Sequence, residues 1–392
     1  MNTLVEQKKL KRPKLTGTKR LNGVLATLLT LCYCLVLLEA IFYIARVGES
    51  DYLVPDARIG FKPMTDKRTT QRKEGFSSVT FNSYGMQNDE ITLAKPPGTL
   101  RVAVFGDSYV EALQVPRPDN YCSLTAQTLS KKLRRPVQVL NFGVANYSVA
   151  QDFLRYQDLA RKFAPDIVVL VYRVGETEKV LPNSTQGLAF VRPVYFPDKD
   201  GKLTYSDAVI KEFAHTSEYK RLKATHLLRR YSRIWGVLGK MQGSWTAFWH
   251  KGGGTTVKSA PQPSTAEMPK TEVSSDANRE RFVSCYWYMV DDLLRQFAEA
   301  TRADGAQLVI MRTPFKIEGR SDTVKNPTET NLLRSTAGNI GALFFDLDQE
   351  LTNEGLDRDK DCFLEFGHFS KAMHRKVAER LSQFIVIQKQ PN

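Results

Sequence analysis

From residue 99 onward, short unbroken apolar runs alternate with stretches whose apolar positions recur every three or four residues. The runs are RVAVFGDS, VQVLNFG, DIVVLVYRVG, AQLVIMRTP and ALFFDL. They have no alternating polar face, which predicts strands buried on both sides. Between them, DNYCSLTAQTLSKKL, SVAQDFLRYQDLARKFAP, RFVSCYWYMVDDLLRQFAEATRADG and NPTETNLLRSTAGNIG have helical spacing, and FSKAMHRKVAERLSQFIV follows the last run as a helix. Asp119 or Asn120 caps the first helix, and Ser148 caps the second, which stops before Pro165. Such alternation predicts an α/β class, a three-layer α/β/α domain on a five-stranded parallel sheet, over residues 99–180 and 280–390. Sheets of this kind bind ligands at the carboxyl ends of their strands. Three strand ends are chemically suggestive: Gly106-Asp107-Ser108, Asn141-Phe142-Gly143 and Arg173-Val174-Gly175-Glu176.

The rest of the chain breaks this rhythm. Residues 50–98 are a polar, turn-rich lead-in in which SSVTFNSYGMQND reads as one strand and a turn. Residues 181–279 are an insertion. In it, YFPDKDGKLTY reads as a hairpin around Asp-Gly, and SEYKRLKATHLLRRYSRIWGVLGKM as one basic amphipathic helix. Leu222, Leu228, Tyr231, Trp235 and Leu238 fall on one side of that helix. It could lie on a membrane, cover the site, or pack on the core with its basic face in water. The Gly/Ser/Thr/Pro-rich stretch after it has the composition of a disordered segment.

Residues 23–46 contain a single long apolar run, interrupted only by Glu39, which could reach the interface or pair with Arg46. A basic tail precedes it (1–22), with Lys8, Lys9, Lys11, Arg12, Lys14, Lys19 and Arg20 against Glu6. The run is too long for a cleaved signal, and no small-x-small site follows it. The expectation is an uncleaved single-pass anchor with its N-terminus cytoplasmic and everything after about residue 50 extracytoplasmic, in a bacterial periplasm by preference.

The net charge of +14 is concentrated partly in that tail and argues only weakly for an anionic partner. No zinc-finger spacing or aromatic-basic motif points to nucleic acid. Cys32 and Cys34 lie in the apolar run; Cys122, Cys285 and Cys362 have no metal-ligand spacing and read as buried thiols, or as one disulfide and a free thiol. The chain calls for no metal and no organic cofactor.

Ser108 is either a nucleophile or a helix cap. A nucleophilic serine needs a base, usually a histidine oriented by a carboxylate. Of five histidines, His215, His226 and His250 lie in the insertion and His374 lies inside the last helix. His368 sits in the loop before that helix, at the ligand end of the sheet, with Glu365 three residues earlier.

These residues resemble the SGNH (GDSL-type) hydrolases, of the membrane-anchored bacterial type. GDSYVEALQV resembles the family's first block, VLNFGVANYS its second, and LEFGHFS the Asp-x-x-His block with Glu365 for Asp. FNSYGMQNDE is similar to a segment that often precedes the domain. The resemblance covers roughly residues 80–180 and 280–385 and implies the SGNH/flavodoxin-like fold. It also implies a catalytic Ser108, His368 and Glu365, with an oxyanion hole from the N–H groups of Ser108 and Gly143. Asp107 reads as a turn residue. The third block departs from the family: RVGETEK lacks the usual Asn, whose side chain is an oxyanion donor. Thr177 or Arg173 could substitute, and Glu176 could bind a sugar hydroxyl or act as acid or base. The expected function is a membrane-anchored serine esterase acting on O-acyl esters, acetyl first, of an envelope or extracellular polysaccharide. The alternatives are an O-acyltransferase on the same polymers or a non-catalytic glycan-binding scaffold. Expected partners are the acylated polysaccharide, the membrane and envelope polysaccharide assembly proteins. A third class, an anion-binding surface protein using the basic helix, stays open.

Overall fold

The computed structural model describes residues 17–49, 52–180, 188–199, 202–239, 241, 276–316, 326–354, 362–365 and 367–389. The segment expected to be disordered, the Asp200-Gly201 turn and His250 lie outside these residues.

Helix α1 (Gly17–Ile44) opens the described chain. Its Leu21–Ile44 portion has a mean hydropathy of 2.3 and is 0% buried; among the described residues it alone is long and apolar enough to cross a membrane. At 1.5 Å per residue it reaches about 36 Å, against a hydrocarbon core of about 30 Å.

The lead-in contains two hairpins where one strand was expected. β1 (Leu53–Asp56) pairs antiparallel with β2 (Gly60–Pro63), and β3 (Arg68–Gln71) with β4 (Ser77–Thr80). Each strand is only four residues long, too short to display an alternation that stands out from a turn-rich background.

The sheet domain begins with β5 (Leu100–Phe105), α2 (Ser108–Glu111), α3 (Tyr121–Leu133), β6 (Val137–Asn141), α4 (Val149–Asp158) and β7 (Ile167–Arg173). Asn120, not Asp119, caps α3, and Ser148 forms a capping box with Gln151 on α4. The insertion supplies β8 (Val194–Pro197), paired with β9 (Leu203–Ser206), and the helices α5 (Ala208–His215), α6 (Ser217–Ala224), α7 (His226–Tyr231) and α8 (233–239). The single amphipathic helix expected there is thus three helices. Thr225 and Ser232 divide it: Ser232 is extended, and its hydroxyl accepts from the Trp235 N–H as an N-cap. The domain resumes with α9 (Asp276–Ala303), β10 (Gln307–Thr313), α10 (Pro327–Asn339), β11 (Leu343–Asp346), α11 (Leu347–Asn353) and α12 (Lys371–Lys389).

The expected three-layer architecture is present. The five parallel strands run in the order β11-β10-β7-β5-β6. Alternate residues face opposite layers. Ala103, Phe105, Leu170 and Ile310 pack against α4, α9 and α10, while Val102, Val104, Val169 and Val309 pack against α3, α11 and α12. Burial on both faces is why the strands read as continuous apolar runs. Each fully buried aliphatic or aromatic side chain contributes about 1.5–3 kcal/mol. From β5 the chain moves to one side for β6 and to the other for β7, so the strand order reverses at β5. That switch point opens a crevice at the carboxyl ends of β5 and its neighbours.

A third cluster joins the appended parts: Ile59 and Phe61 of the lead-in, Val144 and Tyr147 after β6, and Ile210, Phe213 and Leu222 of the insertion. Two expectations fail at the surface. Cys285 is exposed, whereas Cys122 and Cys362 are buried thiols as expected. Leu222 is buried but Leu228, Tyr231 and Leu238 are exposed, because the breaks in the helix turn its segments differently. Glu39 does not pair with Arg46; its carboxylate accepts from Ser232 Oγ, the Arg233 N–H and the Ile234 N–H at the start of α8.

Candidate active site

The turn after β5 settles which residue caps the short helix α2. Asp107 is the N-cap, its carboxylate accepting from the Tyr109 N–H at 3.1 Å. Ser108 is therefore the first helical residue, and its hydroxyl is left for another partner. That partner is His368: Nε2 lies 2.9 Å from Ser108 Oγ.

The carboxylate on the other ring nitrogen is not Glu365. Glu365 is exposed, and Glu74 Oε2 stands 2.5 Å from His368 Nδ1. Glu74 Oε1 also accepts from the His368 backbone N–H at 3.1 Å. The Glu74 side chain is only 4% exposed. Two bonds from one carboxylate fix both the ring and the loop carrying it. They also set the tautomer: Nδ1–H donates to Glu74, so neutral Nε2 accepts from the serine hydroxyl. The reason for the switch is local geometry. The 362–370 loop closes on itself through Leu364 N–H to His368 O (2.7 Å) and Gly367 N–H to Leu364 O (3.0 Å), which turns Glu365 outward. The Tyr109 hydroxyl donates to Gly367 O at 2.6 Å and ties the loop to the turn that carries Ser108.

Glu74 lies in the turn between β3 and β4. Gly75 (φ 72°) lets that turn press on the site, since a Cβ there would sit 2.9 Å from Gln114 O. In the sequence, RKEGF is ordinary hairpin chemistry, and nothing in it signals a carboxylate that reaches His368.

Ser108 and His368 line a cavity of about 450 Å³ together with Tyr52, Gln71, Glu111, Gln114, Arg173, Phe315 and others. Among the described residues none of α5–α8 lines it. Of the three accessory candidates at the end of β7 and just beyond it, only Arg173 lines the cavity. Its guanidinium pairs with Asp107 (2.8 Å) and Glu176 (3.5 Å) and lies 4.0 Å over the Phe315 ring. Glu176 is buried against Lys179 at 2.6 Å. The Thr177 hydroxyl donates to Glu329 at 2.9 Å, and the same buried carboxylate accepts from Tyr172 and the Gly175 N–H. Glu176 and Thr177 therefore hold the loop rather than face a ligand. Burial alone would raise the pKa of Asp107, but the Arg173 and Lys179 charges outweigh it and hold the carboxyl at about 2.

Gly143 does not match its expected role. Its N–H donates to Asn141 Oδ1 at 2.9 Å, and the next N–H groups are used by Gly106 O and Glu111 Oε2. What requires glycine is close packing, because a Cβ would meet the Glu111 N at 2.4 Å. Glu111 is a second residue that the sequence did not single out. It lies on α2 at the cavity, with Oε2 accepting from Tyr52 OH (3.0 Å) and the Ala145 N–H (3.1 Å). Burial pushes its pKa up to about 8, despite these two hydrogen bonds, so it is largely neutral at pH 7. His374 is buried in the core, and burial pushes it down to about 3. It is no competitor to His368. Among the described residues no cluster of side chains could hold a metal ion.

No known family's sequence model matches the chain, and no curated protein matches it either. Similar solved structures include an acetylxylan esterase from Geobacillus stearothermophilus, 14% identical, covering 73% of this chain and 94% of that one at a TM-score of 0.37. An acetyl xylan esterase (15% identical, 73% and 100% covered) has a TM-score of 0.36. An α/β hydrolase from the metagenome of Lake Arreo, Spain (11%, 74% and 97%) has one of 0.37.

Proposed function

We propose that the chain is a serine esterase of the SGNH (GDSL-type) kind, held to a membrane by α1 with its catalytic domain on the extracytoplasmic side. The observation that carries this reading is the hydrogen-bonded series Ser108 Oγ, His368 Nε2, His368 Nδ1 and Glu74 Oε2, at 2.9 and 2.5 Å. Ser108 Oγ attacks the ester carbonyl as His368 takes its proton. The tetrahedral adduct collapses, and the proton on Nε2 passes to the departing alcohol. Water then attacks the acyl-serine, again giving its proton to His368, and the acid leaves as Ser108 is restored. Glu74 stabilises the imidazolium in both steps.

The oxyanion is received by the Ser108 N–H and by Arg173, which stands in for the missing Asn and for the committed Gly143 N–H. A guanidinium clamped by Asp107 and Glu176 is already oriented, so little reorganisation is needed as charge develops. The substrate is an O-acyl, by preference acetyl, ester of an envelope or extracellular polysaccharide. Gln71, Gln114, Tyr52 and neutral Glu111 around the cavity suit a hydroxylated ligand. The acyl group passes to water, or to a second sugar hydroxyl if one reaches the acyl-enzyme first. The committed Gly143 N–H and the missing Asn favour the rival reading, a non-catalytic glycan-binding scaffold.

One experiment separates the two: hydrolysis of p-nitrophenyl acetate by the full chain in detergent, beside Ser108→Ala. The esterase reading expects turnover that vanishes in the variant; a folded protein with no Ser108-dependent turnover on acyl esters would leave the scaffold. The full chain matters here. Arg68 Nε donates to Glu49 Oε1 at 2.7 Å, and Arg72 Nη2 donates to Ala45 O at 3.0 Å. A fragment starting at residue 50 would cut these supports of the Glu74 hairpin.

A further inference from the structure

The insertion has a feature that the esterase reading does not use. On α7 and α8, and just beyond at Met241, five large apolar side chains point outward: Leu227 is 67% exposed and Tyr231 70%, with Leu228, Leu238 and Met241 near half, while Ile234, Trp235 and Val237 are half-buried. Leu227 and Tyr231 are spaced i,i+4 on α7, so they form a local stripe. Apolar exposure in such a cluster, unlike scattered single residues, marks a surface that is covered by something.

What covers it is indicated by where these helices are fastened. They are bolted to the outer end of α1. Glu39 of α1 caps α8, accepting from Ser232 Oγ at 3.0 Å and from the Ile234 N–H at 3.1 Å. Gly236 packs so tightly on Gly48 that a Cβ would sit 2.2 Å from the Gly48 carbonyl oxygen. The Arg233 guanidinium lies 5.6 Å from the centre of the Tyr43 ring. Lys67 Nζ donates to the carbonyls of Arg229 (2.7 Å) and Arg230 (3.0 Å), which locks α7 to the lead-in. A helix pair with exposed apolar side chains, fixed to the end of a spanning helix, meets the bilayer surface that the helix leaves.

We propose that α7 and α8 lie on the outer face of the bilayer that α1 crosses, with Leu227, Leu228, Tyr231, Leu238 and Met241 seated at the boundary between headgroups and acyl chains. The proposal rests on the reading of α1 as a membrane span. Tyr43 and Tyr231 occupy the level at which aromatic side chains concentrate in membrane proteins. The exposed Lys220, Arg221 and Lys223 of α6 supply cations for lipid phosphates beside the apolar stripe. Together α1, α7 and α8 hold the domain at more than one point, so it cannot swing freely on a single tether. The active site is held with it. Arg72 touches the end of α1 and Glu74 is two residues further on, which keeps the Glu74 carboxylate within about 20 Å of that end.

The test uses the full chain with Cys32, Cys34 and Cys285 replaced by Ser, reconstituted into vesicles of phosphatidylcholine and phosphatidylglycerol. Nitroxide labels are placed singly at Leu227→Cys, Tyr231→Cys and Leu238→Cys. Leu29→Cys within α1 and Leu93→Cys at the amino end of the sheet serve as references. Circular dichroism melts that match the unlabelled protein establish folding. Collisions with oxygen should exceed those with a water-soluble nickel chelate at 227, 231 and 238, as at 29, and the order should reverse at 93. Water-like values at 227, 231 and 238 with lipid-like values at 29 would overturn the proposal while leaving the anchor intact. Water-like values at 29 as well would overturn both.

Discussion

The parallel sheet and the lead-in hairpins differ in nearly every property that a sequence displays, yet each supplies one end of the hydrogen-bonded series through His368. The sheet is announced by apolar runs, holds its strands between two helical layers, and sets Ser108 and Arg173 at adjacent strand ends. The lead-in is polar and turn-rich, with strands of four residues, and brings Glu74 to the ring from almost three hundred residues away in sequence. The difference teaches that a motif can locate a site without containing it. The carboxylate nearest in sequence, Glu365, is exposed, and the one that binds the ring belongs to the polar, turn-rich lead-in.

The comparison can be strained from either side. On the sheet side, Ser108→Ala in the full chain should abolish p-nitrophenyl acetate turnover, a loss of roughly a millionfold in kcat if the serine acts with its partners as a unit. Arg173→Ala should cost about a hundredfold to a thousandfold in kcat, the usual effect of removing one oxyanion donor. Thr177→Val, which removes the hydroxyl bonded to the loop carboxylate Glu329, should lower Tm without a comparable loss of kcat. Equal losses in kcat from both variants would mean that Arg173 is structural.

A smaller effect appears in stability at the junction of the two regions, where Tyr52 of the lead-in donates to Glu111 of α2. Glu111 titrates at about 8 in the fold against an ordinary 4.5. Between those values the folded chain holds a proton that the unfolded chain has released. The contribution of Glu111 to stability is therefore complete below about pH 4.5 and is lost as pH rises through 8, by on the order of 5 kcal/mol at most. Glu111→Gln should remove this slope, so that denaturant unfolding of the variant falls less between pH 5 and pH 8 than that of the parent chain. An unchanged slope would mean that the carboxyl is not held neutral there.

The sheet was legible because two-sided burial imposes a pattern that few other structures share. Ser108, His368 and the ligand end of the sheet followed from strand ends and one well-placed loop histidine. What stayed hidden depends on contacts between distant segments. Glu74 is one, in a hairpin too short to show its period. The engagement of Gly143 with Asn141 is another, a bond between a side chain and a backbone two residues on that leaves no trace in composition. The break of the insertion helix was readable in principle, since Thr225 and Ser232 are capping residue types, but the apolar spacing across them suggested continuity.

The central claim, that the lead-in completes the triad, is tested most directly by kcat on p-nitrophenyl acetate for the full chain carrying Glu74→Gln beside one carrying Glu365→Gln. Glu74→Gln should lower kcat by about a hundredfold to ten-thousandfold, as expected when an orienting carboxylate is neutralised, and Glu365→Gln should leave it at the parent value. A large loss in Glu365→Gln with Glu74→Gln near the parent value would contradict the account.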